Sequence, residues 1–126
     1  MREGKNVILY IDDDPDFRDS MRAVLEAHEY IVAEAATAEE GLRVYHQAKP
    51  DLIIVDLMME EVDAGTHFVK ELASLGNRAP IYMLSSVGNS MNLATDPGSL
   101  GLAGVLQKPV EPEVLLSVLK TKLKRR

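Results

Sequence analysis

Asp51-Leu52-Ile53-Ile54-Val55-Asp56-Leu57-Met58-Met59 is an apolar run that opens on one carboxylate and breaks on another. Consecutive apolar residues bounded by acids predict a short strand buried on both faces, as a parallel sheet requires; a half-exposed strand would alternate. Asp56 then stands where the strand leaves the sheet. In open α/β sheets the carboxyl ends of the strands border the binding crevice, so an acid at that point is placed for chemistry. Taken alone, a carboxylate that caps the next turn is the simpler explanation. The ends of the other strands decide between the two.

Upstream, Val7-Ile8-Leu9-Tyr10-Ile11 is a second unbroken apolar run and ends in Asp12-Asp13-Asp14-Pro15. Asp14 suits a helix N-cap and Pro15 the first helical position, with Phe17, Met21, Val24, Leu25 and His28 recurring on one helical face. Asp14 is therefore assigned to the cap, and His28 to the polar edge of that face. Tyr30-Ile31-Val32-Ala33-Glu34-Ala35 alternates like a strand nearer an edge. Thr37-Ala38-Glu39-Glu40 is a capping box for a second helix reaching about Ala48, which Pro50 closes.

Downstream, a loop over 58–65 leads into a third helix with Phe68, Val69, Leu72 and Leu75 inward, stopped by Gly76-Asn77. Pro80-Ile81-Tyr82-Met83-Leu84 reads as the fourth strand and ends in Ser85-Ser86. The stretch 87–103 is rich in breakers and allows at most a short helix around 89–95. Gly98, Gly101 and Gly104 lack the spacing of a phosphate-binding glycine loop and read as turns. Val105-Leu106-Gln107 is a short fifth strand ending in Lys108-Pro109. Glu111-Pro112-Glu113 starts the last helix, with Val114, Leu115, Val118, Leu119 and Leu123 inward and a basic tail that complements the helix dipole. Strand and helix alternate throughout, which with right-handed crossovers predicts an α/β fold with a parallel sheet and helices on both faces.

The 126 residues with 46% hydrophobic content fit a single domain, 1–126, able to bury a core. A net charge of −6 disfavours nucleic acid or an anionic membrane as the main partner, since either calls for a basic field. The absence of cysteine excludes disulfides, thiolate metal sites and a cysteine nucleophile. No run approaches the ~18 apolar residues of a membrane span, and the expectation is a soluble, cytoplasmic protein.

Four strand ends thus carry Asp12 and Asp13, then Asp56, then Ser85, then Lys108. In a doubly wound sheet these ends converge on one crevice. Carboxylates crowded there repel one another and call for a proton or a cation. All-oxygen ligands without His or Cys point to Mg²⁺. A lysine and a hydroxyl beside such a site are what a phosphoryl group requires, and an Asp carboxylate is a nucleophile toward phosphorus.

In this order the motifs 7–15, 51–59, 80–86 and 104–109 resemble the receiver domain of two-component response regulators, over nearly the whole chain. The resemblance implies a flavodoxin-like sheet of order 2-1-3-4-5. It implies that Asp56 accepts a phosphoryl group from the phosphohistidine of a histidine kinase or a histidine phosphotransfer protein. Asp13 would ligate Mg²⁺ directly together with Asp56, Asp12 would act largely through water, and the Met58 carbonyl would complete the set. Ser85 and Lys108 would bind the phosphoryl group, and the Lys108-Pro109 bond would be cis.

Some positions depart from the family pattern. Glu60-Glu61 replaces the usual Pro-Gly, Ala64 stands where a glycine is general, and Val105 replaces the aromatic that switches rotamer on phosphorylation. The expectation is that the 87–103 segment is the switch and much of the partner surface. Met58 and Val87, at positions that tune water attack in the family, are both apolar, so hydrolysis of the phosphoryl group is expected to be slow. A haloacid-dehalogenase-type phosphatase would need a second Asp where Met58 stands. A pseudo-receiver, a phosphorylation-independent interaction module, sits poorly with the full set of five site residues. The end of the chain just after its last helix suggests a stand-alone receiver, signalling to a downstream protein by contact or by passing the phosphoryl group on.

Overall fold

Continuous apolar runs become the central strands. Val7–Ile11 (β1) and Leu52–Asp56 (β3) are buried at all five positions, as expected of strands covered on both faces. Ile31–Ala35 (β2) has only Ala35 fully buried and lies at one edge. Ile81–Ser86 (β4) and Gly104–Lys108 (β5) complete a parallel sheet of order β2-β1-β3-β4-β5, which is the expected flavodoxin-like order. The structure, a computed structural model, describes residues 5–56, 64–86, 103–108 and 110–123.

Because side chains alternate along a strand, each run supplies both faces of the sheet. Ile8, Tyr10, Leu52, Ile54, Leu84 and Leu106 pack with Met21 and Leu25 of α1 (Pro15–Ala27) and with Leu115 and Leu119 of α4 (Pro112–Lys122). Leu9, Ile11, Ile53, Val55 and Met83 pack on the other face with Phe68, Val69 and Leu72 of α3 (Ala64–Ser74) and with Leu42 and Tyr45 of α2 (Ala38–Ala48). The sheet is therefore doubly wound, with two helical layers anchored through independent cores.

Local chemistry sets the helix starts. Asp14 Oδ1 accepts the N–H groups of Asp16 (3.0 Å) and Phe17 (3.4 Å), and Pro15 needs no N–H partner at the first turn. Thr37 Oγ1 accepts from Glu40 N (3.0 Å), while Glu40 reaches back to Ala36 N (2.7 Å), one residue earlier than a capping box. Lys49 ends α2 in the left-handed region, at φ 50°. Asp51 then joins β3 to β1 by donating its N–H to Val7 O (2.7 Å) and accepting Val7 N–H on Oδ2 (2.8 Å).

Three expectations are corrected. Leu75 is 46% exposed, because α3 ends at Ser74 and the helical stripe does not extend past it. Val114 is 48% exposed; α4 turns Leu115 and Leu119 inward, a register that rotates Val114 away. Gly104 is not a turn residue but the first position of β5, paired with Tyr82, where an added Cβ would stand 2.9 Å from the ring. A side chain there would displace that ring.

The short helix expected around 89–95 and the 87–103 segment, apart from Ala103, lie outside the described residues, as do Met58 with the 57–63 loop, Val87, Pro109 and the tail from 124. Among the described residues no helix is long and apolar enough to cross a membrane.

Candidate phosphoryl-acceptor site

The strand order reverses between β1 and β3, the place where a doubly wound sheet opens a crevice. Ile11 pairs with Val55, so the next step along each strand brings Asp12 level with Asp56. Asp12, Asp13 and Asp56 each present a carboxylate oxygen within 4.8 Å of the others. Asp12 is 0% and Asp56 3% exposed, whereas Asp13 is open to solvent. These are the three acids expected from the sequence.

The backbone register extends the site along the same edge of the sheet. Asp56 pairs with Leu84, and Ser85 is the next residue of β4. Ser85 pairs with Gln107 and Ser86 with Lys108, which ends β5. All four expected strand ends therefore lie at one rim. Met58, the remaining expected ligand, lies outside the described residues.

Asp12 is held at every polar point the chain can reach. Its N–H donates to Ala35 O (3.0 Å), and its carbonyl accepts from the Arg18 guanidinium (2.6 Å). Oδ1 accepts from Asp14 N (3.0 Å), and Oδ2 accepts from the Tyr10 hydroxyl at 2.5 Å, a charge-assisted contact. Burial pushes the Tyr10 phenol far above its usual range. The hydrogen bond to Asp12 and the charges of Asp12, Asp56 and Asp14 act in the same direction, so the phenol is a permanent donor. Arg18 also pairs with Glu34 (3.3 Å), which Arg22 holds at 2.6 Å, so β2 and α1 brace the end of β1.

Tyr10 and Arg18 did not emerge from the sequence. The signal for Tyr10 was present: residues i and i+2 on a strand share a face, and Tyr10 is two before Asp12. Arg18 acts through a side chain reaching back to a backbone carbonyl, which no spacing rule reveals.

Chemically, three carboxylates at one point form a hard, all-oxygen donor set, and the exposed Asp13 leaves the cluster open to water. That combination suits Mg²⁺, which retains several waters and takes one or two carboxylates directly. The residues present thus fit a magnesium ion.

The chain is similar to known proteins in both sequence and fold. The family model for the response regulator receiver domain matches residues 8–120. The chain is 31% identical to response regulator MprA of Mycolicibacterium vanbaalenii over 118 residues, covering 94% of this chain and 50% of that protein. It is also 31% identical to the transcriptional regulatory protein GlrR of Escherichia coli K12, covering 94% of this chain and 26% of that protein. The chain thus spans half or less of the length of these two curated relatives. Among solved structures it is similar to the chemotaxis protein CheY4 of Vibrio cholerae, with TM-score 0.82 and 31% identity over 93% of this chain and 98% of that one. A CheY-like receiver domain protein from Methanospirillum hungatei JF-1 gives TM-score 0.80 and 30% identity over 94% of each chain. With acids, sheet order and family match all in agreement, the chain belongs to the response regulator receiver domain family, the signalling domain of two-component systems.

Proposed function

We propose that Asp56 is the phosphoacceptor of this receiver and that Asp12, Asp13, Asp56 and the Met58 carbonyl hold the Mg²⁺ that the transfer requires. The observation that carries this reading is the convergence of three carboxylate oxygens within 4.8 Å at the β1/β3 switch point. In the reaction, an Asp56 carboxylate oxygen attacks the phosphorus of a phosphohistidine on a histidine kinase or a histidine phosphotransfer protein. The new P–O bond forms as the P–N bond breaks, and the departing imidazole takes a proton. Bound Mg²⁺ supplies charge neutralisation as the phosphoryl group adds negative charge to an acidic site. Lys108 offsets the remaining charge and Ser85 donates a hydrogen bond to the phosphoryl group.

Residues 1–126 are read as one receiver domain, supported by a single five-stranded sheet covered on both faces. Its setting is the cytoplasm, where a kinase presents its phosphohistidine. Phosphorylation biases the conformation, and the signal leaves by protein–protein contact or by onward phosphoryl transfer.

Incubation with acetyl phosphate and Mg²⁺, followed by intact mass, tests the assignment. Wild type is expected to gain one phosphoryl group, and neither the chelator-treated protein nor Asp56→Asn to gain any. Phosphorylation of Asp56→Asn at the wild-type rate would remove Asp56 from the role.

A further inference from the structure

Tyr10 is a fully buried side chain whose hydroxyl takes no part in the transfer chemistry just described, yet it is bonded to the acid cluster. A phenylalanine would fill the same space between β1, α1 and α4 and would keep the ring contact with Phe17, at 6.3 Å between centroids. What the hydroxyl adds is one hydrogen bond, 2.5 Å to Asp12 Oδ2, made where neither residue is accessible to water. Oδ1 of the same carboxylate is already occupied by Asp14 N at 3.0 Å. The two donors approach different oxygens and so fix the carboxylate plane as well as its position. Without the phenol, Oδ2 loses its hydroxyl donor, and repulsion from Asp13 and Asp56 then favours a turn of the plane.

We propose that Tyr10 is a positioning residue of the cation site: its hydroxyl locks Asp12 in the orientation that gathers the three carboxylates, and thereby sets the affinity for a divalent cation. The inference rests on the reading of the acid cluster as a Mg²⁺ site. Two effects of losing the hydroxyl oppose each other. Removing a donor concentrates negative charge on Asp12, which attracts a cation more strongly. Losing the orientation disorders the ligand set. Removing an outer-shell partner of a metal site typically weakens binding about tenfold or more, so disorder outweighs added charge.

The protein carries a built-in reporter, because it has four tyrosines and no tryptophan. Phenol absorbance and emission respond to a carboxylate acceptor, so a cation drawing on Asp12 alters the Tyr10 signal. The experiment is a Mg²⁺ titration followed by calorimetry and by tyrosine difference spectra, on wild type, Tyr10→Phe, Tyr45→Phe, Asp12→Asn and the Tyr10→Phe/Asp12→Asn double variant. Tyr45 is the matched control, since its hydroxyl bonds Asn77 on the other face of the sheet.

Tyr10→Phe is expected to raise the Kd about tenfold and to lose the magnesium-dependent spectral change. Tyr45→Phe should retain both the Kd and the change. In the Asp12→Asn background the Tyr10 substitution should have no further effect, because Tyr10 acts through Asp12. Wild type that binds Mg²⁺ with the same Kd as Tyr10→Phe overturns this inference and leaves the proposed function standing. Wild type that binds no Mg²⁺ overturns the proposed function itself, and this inference with it. Should Tyr10→Phe fail to fold, the spectra decide: a magnesium-induced change that persists in Tyr30→Phe, Tyr45→Phe and Tyr82→Phe belongs to Tyr10. A wild-type spectrum that does not change on binding overturns the role.

Discussion

Asp56 places a buried carboxylate beside two others. It is 3% exposed and its carboxylate lies within 4.8 Å of two others, close enough for repulsion that partial burial leaves poorly screened. Functional sites commonly hold such destabilising arrangements, and neutralising them raises stability while removing function. Asp56→Asn should therefore stabilise the cation-free protein by on the order of 1 kcal/mol. It should also erase the gain that Mg²⁺ gives wild type, which is about 1.4 kcal/mol at a free concentration ten times the Kd. Urea unfolding of both proteins in chelator and in Mg²⁺ provides the four values needed. An Asp56→Asn protein less stable than wild type in chelator would mean that the acids are not in conflict. The acids themselves were legible in the sequence because each ends an apolar run. Tyr10 was passed over as one more core aromatic, although its place two residues before Asp12 puts both on one face of the strand, where its hydroxyl meets that acid.

Among the elements, α2 shows how tightly a helix is set against the strand that bears the site. Gly41 is buried, and an added Cβ would stand 2.7 Å from Ile11 Cδ1 and 3.1 Å from Phe68 Cε1. Ile11 is 0% and Phe68 1% exposed, so neither has room to retreat. Alanine gains about 1 kcal/mol over glycine in a helix interior, whereas overpacking a filled core costs about 1–3 kcal/mol. Gly41→Ala is thus expected to lower stability by about 1 kcal/mol. Ile11→Val removes the Cδ1 atom in the way, and in that background Gly41→Ala should become neutral or stabilising. A double-mutant cycle by chemical denaturation checks the coupling; additive effects would show that α2 shifts as a body instead. The starts of α1 and α2 were readable from their N-caps, Asp14 and Thr37. The exposure of Leu75 and Val114 was not, since periodicity gives the width of a stripe but not where the helix ends or how it is rotated.

For the whole molecule, both helical layers rest on a sheet that buries phenols. Tyr10 and Tyr82 have folded-state values raised above the ordinary 10.0, in both cases chiefly by burial. A raised phenol favours the folded state's protonated form. Its stabilising contribution is complete below the unfolded value near 10 and is lost as pH rises beyond it, because only the unfolded chain releases the protons. Stability should therefore be level with respect to these groups at neutral pH and fall steeply above about pH 10. Thermal midpoints measured from pH 8 to 11 would follow that fall, and Tyr10→Phe should make it shallower. An equally steep fall in Tyr10→Phe would assign alkaline unfolding to other groups.

What the amino-acid order determined by itself was everything encoded locally. Unbroken apolar runs marked β1 and β3 as central strands, alternation marked β2 as nearer an edge, and Asp14 and Thr37 marked helix starts, because period and capping act over a few residues. The identity of the acids at the strand ends followed from the same local pattern. Tertiary structure alone decided what depends on distance between remote segments. It made Gly104 a strand residue beneath the Tyr82 ring, left Leu75 and Val114 outside the core, and brought Arg18 back to the Asp12 carbonyl. It also turned Tyr10 from one more core side chain into a donor to Asp12. Hydrogen bonds and close contacts depend on ångström-scale placement, and that placement exists only once the sheet and both helical layers have packed.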